Sequence, residues 1–86
     1  MVLLHPKAKR ELETIEEPLR SRIKKLLREL GDDPKTNGKP LKHSEYWTLR
    51  VGDHRAIYEI WAEKKQVVVL FIGHCRNVYD EFSRLF

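Results

Sequence analysis

The chain has 86 residues, with 17 Lys and Arg against 13 Asp and Glu, a formal net charge of +4, and a single cysteine, Cys75. A chain this short supports one domain with one modest core and excludes a large internal ligand cavity. One cysteine excludes an internal disulfide framework and a cysteine-built zinc site and fits a reducing compartment, the cytoplasm. The positive balance suits polyanions without specifying one. The opening run to Pro6 is too short for a signal peptide, and no later apolar stretch is long enough to cross a bilayer, so no membrane association is expected.

Val2 to Leu4 reads as a short strand. Pro6 is suited to the first position of a helix, where its missing N–H costs nothing, and Ala8, Leu12 and Ile15 continue at helical spacing to Glu17. Pro18 opens a second helix with Leu19, Ile23, Leu26, Leu27 and Leu30 on one face and Arg20, Arg22, Lys24, Lys25 and Arg28 largely on the rest. Gly31 reads as its C-terminal stop, and the short break between the helices implies an antiparallel hairpin. Asp32 to Gly38 reads as a loop.

Three strands follow. Tyr46 to Val51 alternates Tyr46, Thr48 and Arg50 with Trp47, Leu49 and Val51, and the second set, Trp47 included, is the core set. Gly52-Asp53 supplies a tight turn into His54 to Trp61. Val67 to Ile72 is a continuous β-branched and aromatic run, as in a strand buried on both faces, with Gly73 breaking it. Val78, Phe82, Leu85 and Phe86 recur at roughly helical spacing. The expected fold is α+β: a short N-terminal strand, an antiparallel helical hairpin packed on a small antiparallel meander, and a short C-terminal helix, with one sheet face left open.

On that open face Arg50 is joined by Tyr46, and Arg55 lies just beyond the turn. His74 and Arg76 follow the end of the last strand, and Lys39 and Lys42 lead into the hairpin. Brought together, these residues would form a concave basic surface. RNA cleavage by a neighbouring 2′-hydroxyl needs a base, cations to hold the phosphorane and an acid for the departing 5′ oxygen. Arginine suits the second task and an imidazole the first or third. Tyr79 suits stacking on a base or orienting a phosphate. Against this stand plainer readings: sheet arginines and the basic face of the second helix are usually solvated, His5 beside Pro6 is structural, His43 has no evident role, and Cys75 is a small inert side chain. For His54 and His74 spacing alone leaves both readings open.

The run Gly38-Lys39-Pro40-Leu41-Lys42, followed by Tyr46-Trp47-Thr48-Leu49-Arg50-Val51-Gly52-Asp53-His54-Arg55-Ala56-Ile57-Tyr58-Glu59-Ile60, resembles the central segment of RelE-type toxins of the RelE/ParE superfamily. The opening His5-Pro6-Lys7-Ala8 and the closing Ile72-Gly73-His74-Cys75-Arg76-Asn77-Val78-Tyr79 resemble the corresponding segments of that family, so the likeness covers nearly the whole chain. It implies a toxin of a type II toxin-antitoxin system, an mRNA interferase that cuts mRNA in the ribosomal A site by 2′-hydroxyl attack, with no metal or cofactor. The implied partners are a cognate antitoxin, the ribosome and mRNA, with DNA reached only through the antitoxin complex. Arg55 matches the arginine of the family's G-D-Y-R segment, Arg76 and Tyr79 match the basic residue and tyrosine of its closing H-R-R-E-V-Y pattern, and Arg50 matches the arginine of L-R-V-G. Lys39 and Lys42 fall in the basic approach, where phosphate contacts are implied.

The chain departs from the family at four positions. Cys75 replaces a basic residue, Asn77 a glutamate, Thr48 an Arg or Lys, and His54 a tyrosine. Two charge-stabilising or proton-transferring groups are thereby missing, and His74 is the candidate to act in their place. Two alternatives follow: a ParE-like toxin that poisons gyrase, and a catalytically weak homologue that only binds its antitoxin. An open basic face suits an acidic, partly disordered antitoxin that folds on contact.

Overall fold

The computed structural model describes residues 2–41, 44–74 and Phe82. β1 (Val2–Leu4) leads into α1 (Pro6–Thr14), which has Pro6 at its start and is capped by His5, whose Nδ1 accepts from the Lys7 amide at 3.1 Å. The helix ends three residues earlier than the spacing predicts. Ile15 turns to extended backbone (φ −79°, ψ 130°) yet stays buried, so an apolar residue that continues the helical spacing is reached by leaving the helix. In α2 (Leu19–Asp32) Ile23, Leu27 and Leu30 are buried, and Arg22, Lys24, Lys25 and Arg28 are exposed, as the periodicity requires. Each fully buried aliphatic side chain contributes about 2 kcal/mol of transfer free energy. Glu17 caps this helix: its carboxylate accepts from the Ser21 amide at 2.9 Å and from the Ser21 hydroxyl. The Ser21 hydroxyl bond, with Arg20 also nearby, holds the Glu17 carboxyl below its ordinary value.

Gly31 does not stop α2. It lies within the last turn, where a Cβ would come 2.7 Å from Val2 Cγ2, so the missing side chain allows α2 to close on β1. Asp33 ends the helix and its Oδ1 accepts from the Thr36 amide at 3.3 Å, starting α3 (Pro34–Asn37) inside the segment read as loop.

β2 (Lys39–Pro40), β3 (Trp47–Val51), β4 (His54–Trp61) and β5 (Gln66–His74) join β1 in one five-stranded sheet of order β1-β5-β4-β3-β2. All neighbours are antiparallel except β1 and β5, which are parallel. The sheet is therefore larger than the expected meander by one strand at each edge. β5 runs on through Gly73 because His54 and Arg55 of β4 still have partners there, His74 and Gly73.

The helices cover one sheet face. Ala8, Leu12, Ile15, Ile23, Leu27 and Leu30 meet Leu49, Val51, Ala56, Tyr58, Val67, Val69 and Ile72, with Trp47 part-buried at the margin. The opposite face is not fully open. Ile57, Leu70 and Phe71 form a second cluster there with Phe82, and Tyr46 and Val68 pack against it. A register shift between Ile57 and Tyr58 makes this possible: Ile57 pairs with Phe71 and Tyr58 with Val69, so Leu70 is the extra residue of a bulge. Phe82 is helical and buried; the rest of the expected C-terminal helix lies outside the described residues.

Tyr58 ties α3 to the sheet. It is fully buried, stacks on Trp47 at 6.5 Å between ring centroids, and donates its hydroxyl to the Pro34 carbonyl at 2.7 Å. Burial pushes its hydroxyl up from 10.0 to about 12. The unfolded chain then gives up this proton first, so stability present below pH 10 is lost as pH rises through about 12. Tyrosinate absorbance should show one of the three tyrosines resisting ionisation to about pH 12. Tyr58→Phe should flatten the alkaline loss of stability; an unchanged pH profile would remove burial of this hydroxyl as its cause.

Candidate nucleic-acid interface

β3 and β4 are joined by a two-residue loop, Gly52-Asp53, in which Gly52 has φ 58°. Positive φ at the first position only is the pattern of a type II′ hairpin turn, where glycine avoids a Cβ clash. The turn sets Arg50 directly opposite Arg55, and Arg55 in turn opposite Gly73 of β5. In the next row Lys39 of β2 faces Thr48 of β3, and Thr48 faces Ile57. Facing residues share a sheet side, so Lys39, Arg50 and Arg55 project together from the face opposite the helices.

These residues line a depression of about 330 Å³ whose other walls include Thr36, Asn37, Gly38 and Thr48. Arg50 and Lys39 are exposed, whereas Arg55 is part-buried. Arg50 donates from Nε to the Gly52 carbonyl at 3.2 Å, which fixes its guanidinium plane while using one of its several N–H donors. Neither Arg50 nor Lys39 forms an ion pair among the described residues. Like charges facing each other across strands destabilise a sheet. Such a local violation of folding preference is expected where an anion is bound.

The remaining sequence candidates are distributed as follows. Tyr46 shares the face of Arg50, but its ring packs edge-on against Phe82 at 4.9 Å, so it is an apolar neighbour of the second cluster rather than a free stacking platform. His74 does not join the arginines. It faces His54, which faces Val51 on the helix-covered side, and the two imidazoles lie 5.6 Å apart between centroids. Strand alternation therefore places His74 on the opposite face from Arg55. Lys42, Arg76 and Tyr79 lie outside the described residues. Thr36 and Asn37 are not among the sequence candidates, because the Pro, Asn and Gly of residues 32–38 have the composition of a loop; Pro34 at a first helical position and the Asp33/Thr36 spacing are the signals that mark α3. A second depression, of about 280 Å³, lies between β1 and the helical hairpin and is mostly apolar: Val2, Leu4, Leu12 and Leu27, with Lys24 and Arg28 at its rim.

Residues 2–79 match the sequence model of the ParE toxin of the type II toxin-antitoxin system parDE. Among solved structures, the toxin-antitoxin complex RelBE2 from Mycobacterium tuberculosis includes a chain 26% identical, with a TM-score of 0.80 over 86% of this chain and 95% of that one. The isolated Escherichia coli RelE toxin matches with a TM-score of 0.77 at 21% identity, over 100% of this chain and 98% of that one. The YoeB/ParE toxin from Agrobacterium tumefaciens matches with a TM-score of 0.72 at 18% identity, over 85% of this chain and 95% of that one. No curated protein sequence matches significantly.

Proposed function

Because the chain belongs to the ParE toxin family of type II toxin-antitoxin systems, within the RelE/ParE superfamily, we propose that its basic groove binds messenger RNA and that the protein blocks translation by cutting it on the ribosome. The observation that carries this reading is the facing pair Arg50 and Arg55 with Lys39 beside it, three cations on one sheet side around a cavity of about 330 Å³. That arrangement suits a phosphodiester whose charge increases in the transition state. In the proposed reaction the 2′-hydroxyl loses its proton and attacks the adjacent phosphorus. The bond to the 5′ oxygen breaks, and that oxygen takes up a proton, leaving a cyclic phosphate. Arg55 would hold the phosphorane oxygens, with Arg50 and Lys39 on flanking phosphates. Arg76 and Tyr79 are assigned to the site by the resemblance alone. His74 is not given a part, since it projects from the other face.

A cognate antitoxin restrains the protein in this reading, as RelBE2 is a toxin-antitoxin complex. The site of action is the cytoplasm, where ribosomes are. The ParE description of the matching family favours one second reading, inhibition of gyrase without RNA cleavage. Primer extension on mRNA from briefly induced cells, beside an Arg76→Ala control, separates the two. New 5′ ends inside translated codons, absent from the control, are expected. Intact mRNA in arrested cells would transfer the assignment to gyrase, and intact mRNA without arrest would leave a protein that only binds its antitoxin.

A further inference from the structure

The cations of the groove answer to phosphates, which every RNA sequence offers alike, whereas bases are told apart by hydrogen bonds to their edges. The neutral polar part of the same groove is not used by the proposed reaction. Apart from the tethered Tyr58, Thr48 is the only buried residue among those described whose side chain carries a polar atom, and it is 8% exposed. It lines the groove, yet its hydroxyl has no hydrogen-bond partner among the described residues. A nearly buried hydroxyl without a partner gains from a ligand that supplies one.

In the sheet Thr48 lies between Lys39, which is exposed, and Ile57, which is fully buried in the second apolar cluster. A phosphate settled beside Ile57 would lose hydration, but a base can rest an apolar face there and turn its polar edge to the hydroxyl. Thr36 brings a second hydroxyl to the groove, exposed and also without a partner among the described residues. Its support, α3, is too short to persist alone. It is held by Asp33 Oδ1 on the Thr36 amide, by Asn37 Nδ2 donating to the Glu29 carbonyl at 3.2 Å, and by the Tyr58 hydroxyl on the Pro34 carbonyl. Gly38, which follows α3, lies against β3: a Cβ there would come 2.9 Å from the Thr48 carbonyl oxygen. Both hydroxyls are therefore carried on fixed supports. We propose that Thr48 and Thr36 read the edge of the base next to the phosphate held by Arg55 and so set the codon at which the chain cuts. The assignment rests on the RNA reading above. A hydroxyl both donates and accepts, so the preference arises from where the two stand and is graded rather than absolute.

The test is cleavage on ribosomes programmed with mRNAs that differ only in the A-site codon, by the wild type, Thr48→Val and Thr36→Val. Valine keeps the branched shape of threonine and removes the hydroxyl. The quantity read is the ratio of rates at the best-cut and worst-cut codons within each protein, which a partly unfolded sample does not alter. That ratio should narrow about 3- to 10-fold in each variant, the worth of one hydrogen bond, with the rate at the worst-cut codon nearly unchanged. A rate that falls by the same factor at every codon marks a phosphate contact and overturns the proposal, as does a ratio unchanged in either variant or a wild type that cuts all codons alike. A wild type that cuts no codon removes the cleavage reading itself, and this one with it.

Discussion

Arg55→Ala should lower the rate of mRNA cleavage on programmed ribosomes by about 10²- to 10³-fold, the loss typical of removing one preorganised donor from a transition state that gains charge. Arg55 is the part-buried member of the cationic set and is flanked by Gly73, which has no side chain to compete for the space beside it. Arg50 is exposed and tethered to the Gly52 carbonyl at the turn, so Arg50→Ala should cost less. Arg55→Lys separates charge from geometry. Lysine keeps the charge but lacks the planar fork that engages two phosphate oxygens, so it should recover only part of the lost rate. Melting midpoints of the variants establish that the fold persists. A rate for Arg55→Ala within twofold of wild type would remove Arg55 from the chemistry and leave the groove a binding surface.

The largest expected effect on stability is at Gly38. Its backbone (φ −126°) is open to any residue, so conformational freedom is not what glycine supplies here. What it supplies is space: a Cβ would fall on the Tyr58 hydroxyl, 2.8 Å from Cζ of that ring and 2.9 Å from the Thr48 carbonyl oxygen. Backbone and a fully buried ring cannot give way cheaply. Gly38→Ala should therefore cost about 1–3 kcal/mol from overpacking, and about 1 kcal/mol more from loss of the Tyr58–Pro34 hydrogen bond. For a domain of this size that lowers the melting midpoint by roughly 10 °C or more. Tyr58→Phe alone should cost about 1 kcal/mol, and the two changes together less than their sum, because the second removes part of the clash created by the first. Denaturant melts of the four proteins test this, and full additivity would mean that Gly38 and Tyr58 do not act through the same contact.

Helical and strand periodicities alone identified α1, α2 and the three long strands, because Leu12, Ile23, Leu27, Leu30, Leu49 and Val51 must all find one core. They also placed Arg50 on the face away from the helices. The errors have physical causes. β2 is two residues long and carries a proline, too short for any alternation to register, and it is a strand only because Thr48 and Trp47 offer partners. Gly31 has the composition of a stop but serves as a place of close approach to Val2, and Gly73 stays within β5 because Arg55 offers it a ladder partner; neither relation is visible from neighbouring residues in the chain. The sequence groups His74 with the arginines because Gly73 has the composition of a strand end. Two more residues of alternation put it beside His54, and the length of β4 already required them. Facing pairs such as Arg50 and Arg55 follow from the turn, so the core of the candidate site was readable. The walls contributed by Thr36 and Asn37 depended on tertiary placement of α3 and were not.

The parallel pairing of β1 with β5 also dictates when the molecule can exist. Val2, Leu3 and Leu4 meet Val67, Val68 and Val69, so β1 waits for β5. Contacts this distant in sequence form late. Until β5 is in place, α1 and α2 have no completed sheet on which to bury their apolar faces, and Arg55 has no Gly73 beside it. The groove therefore takes its shape only once β5 has been made and has paired, so whatever it does depends on two strands far apart in the sequence having met.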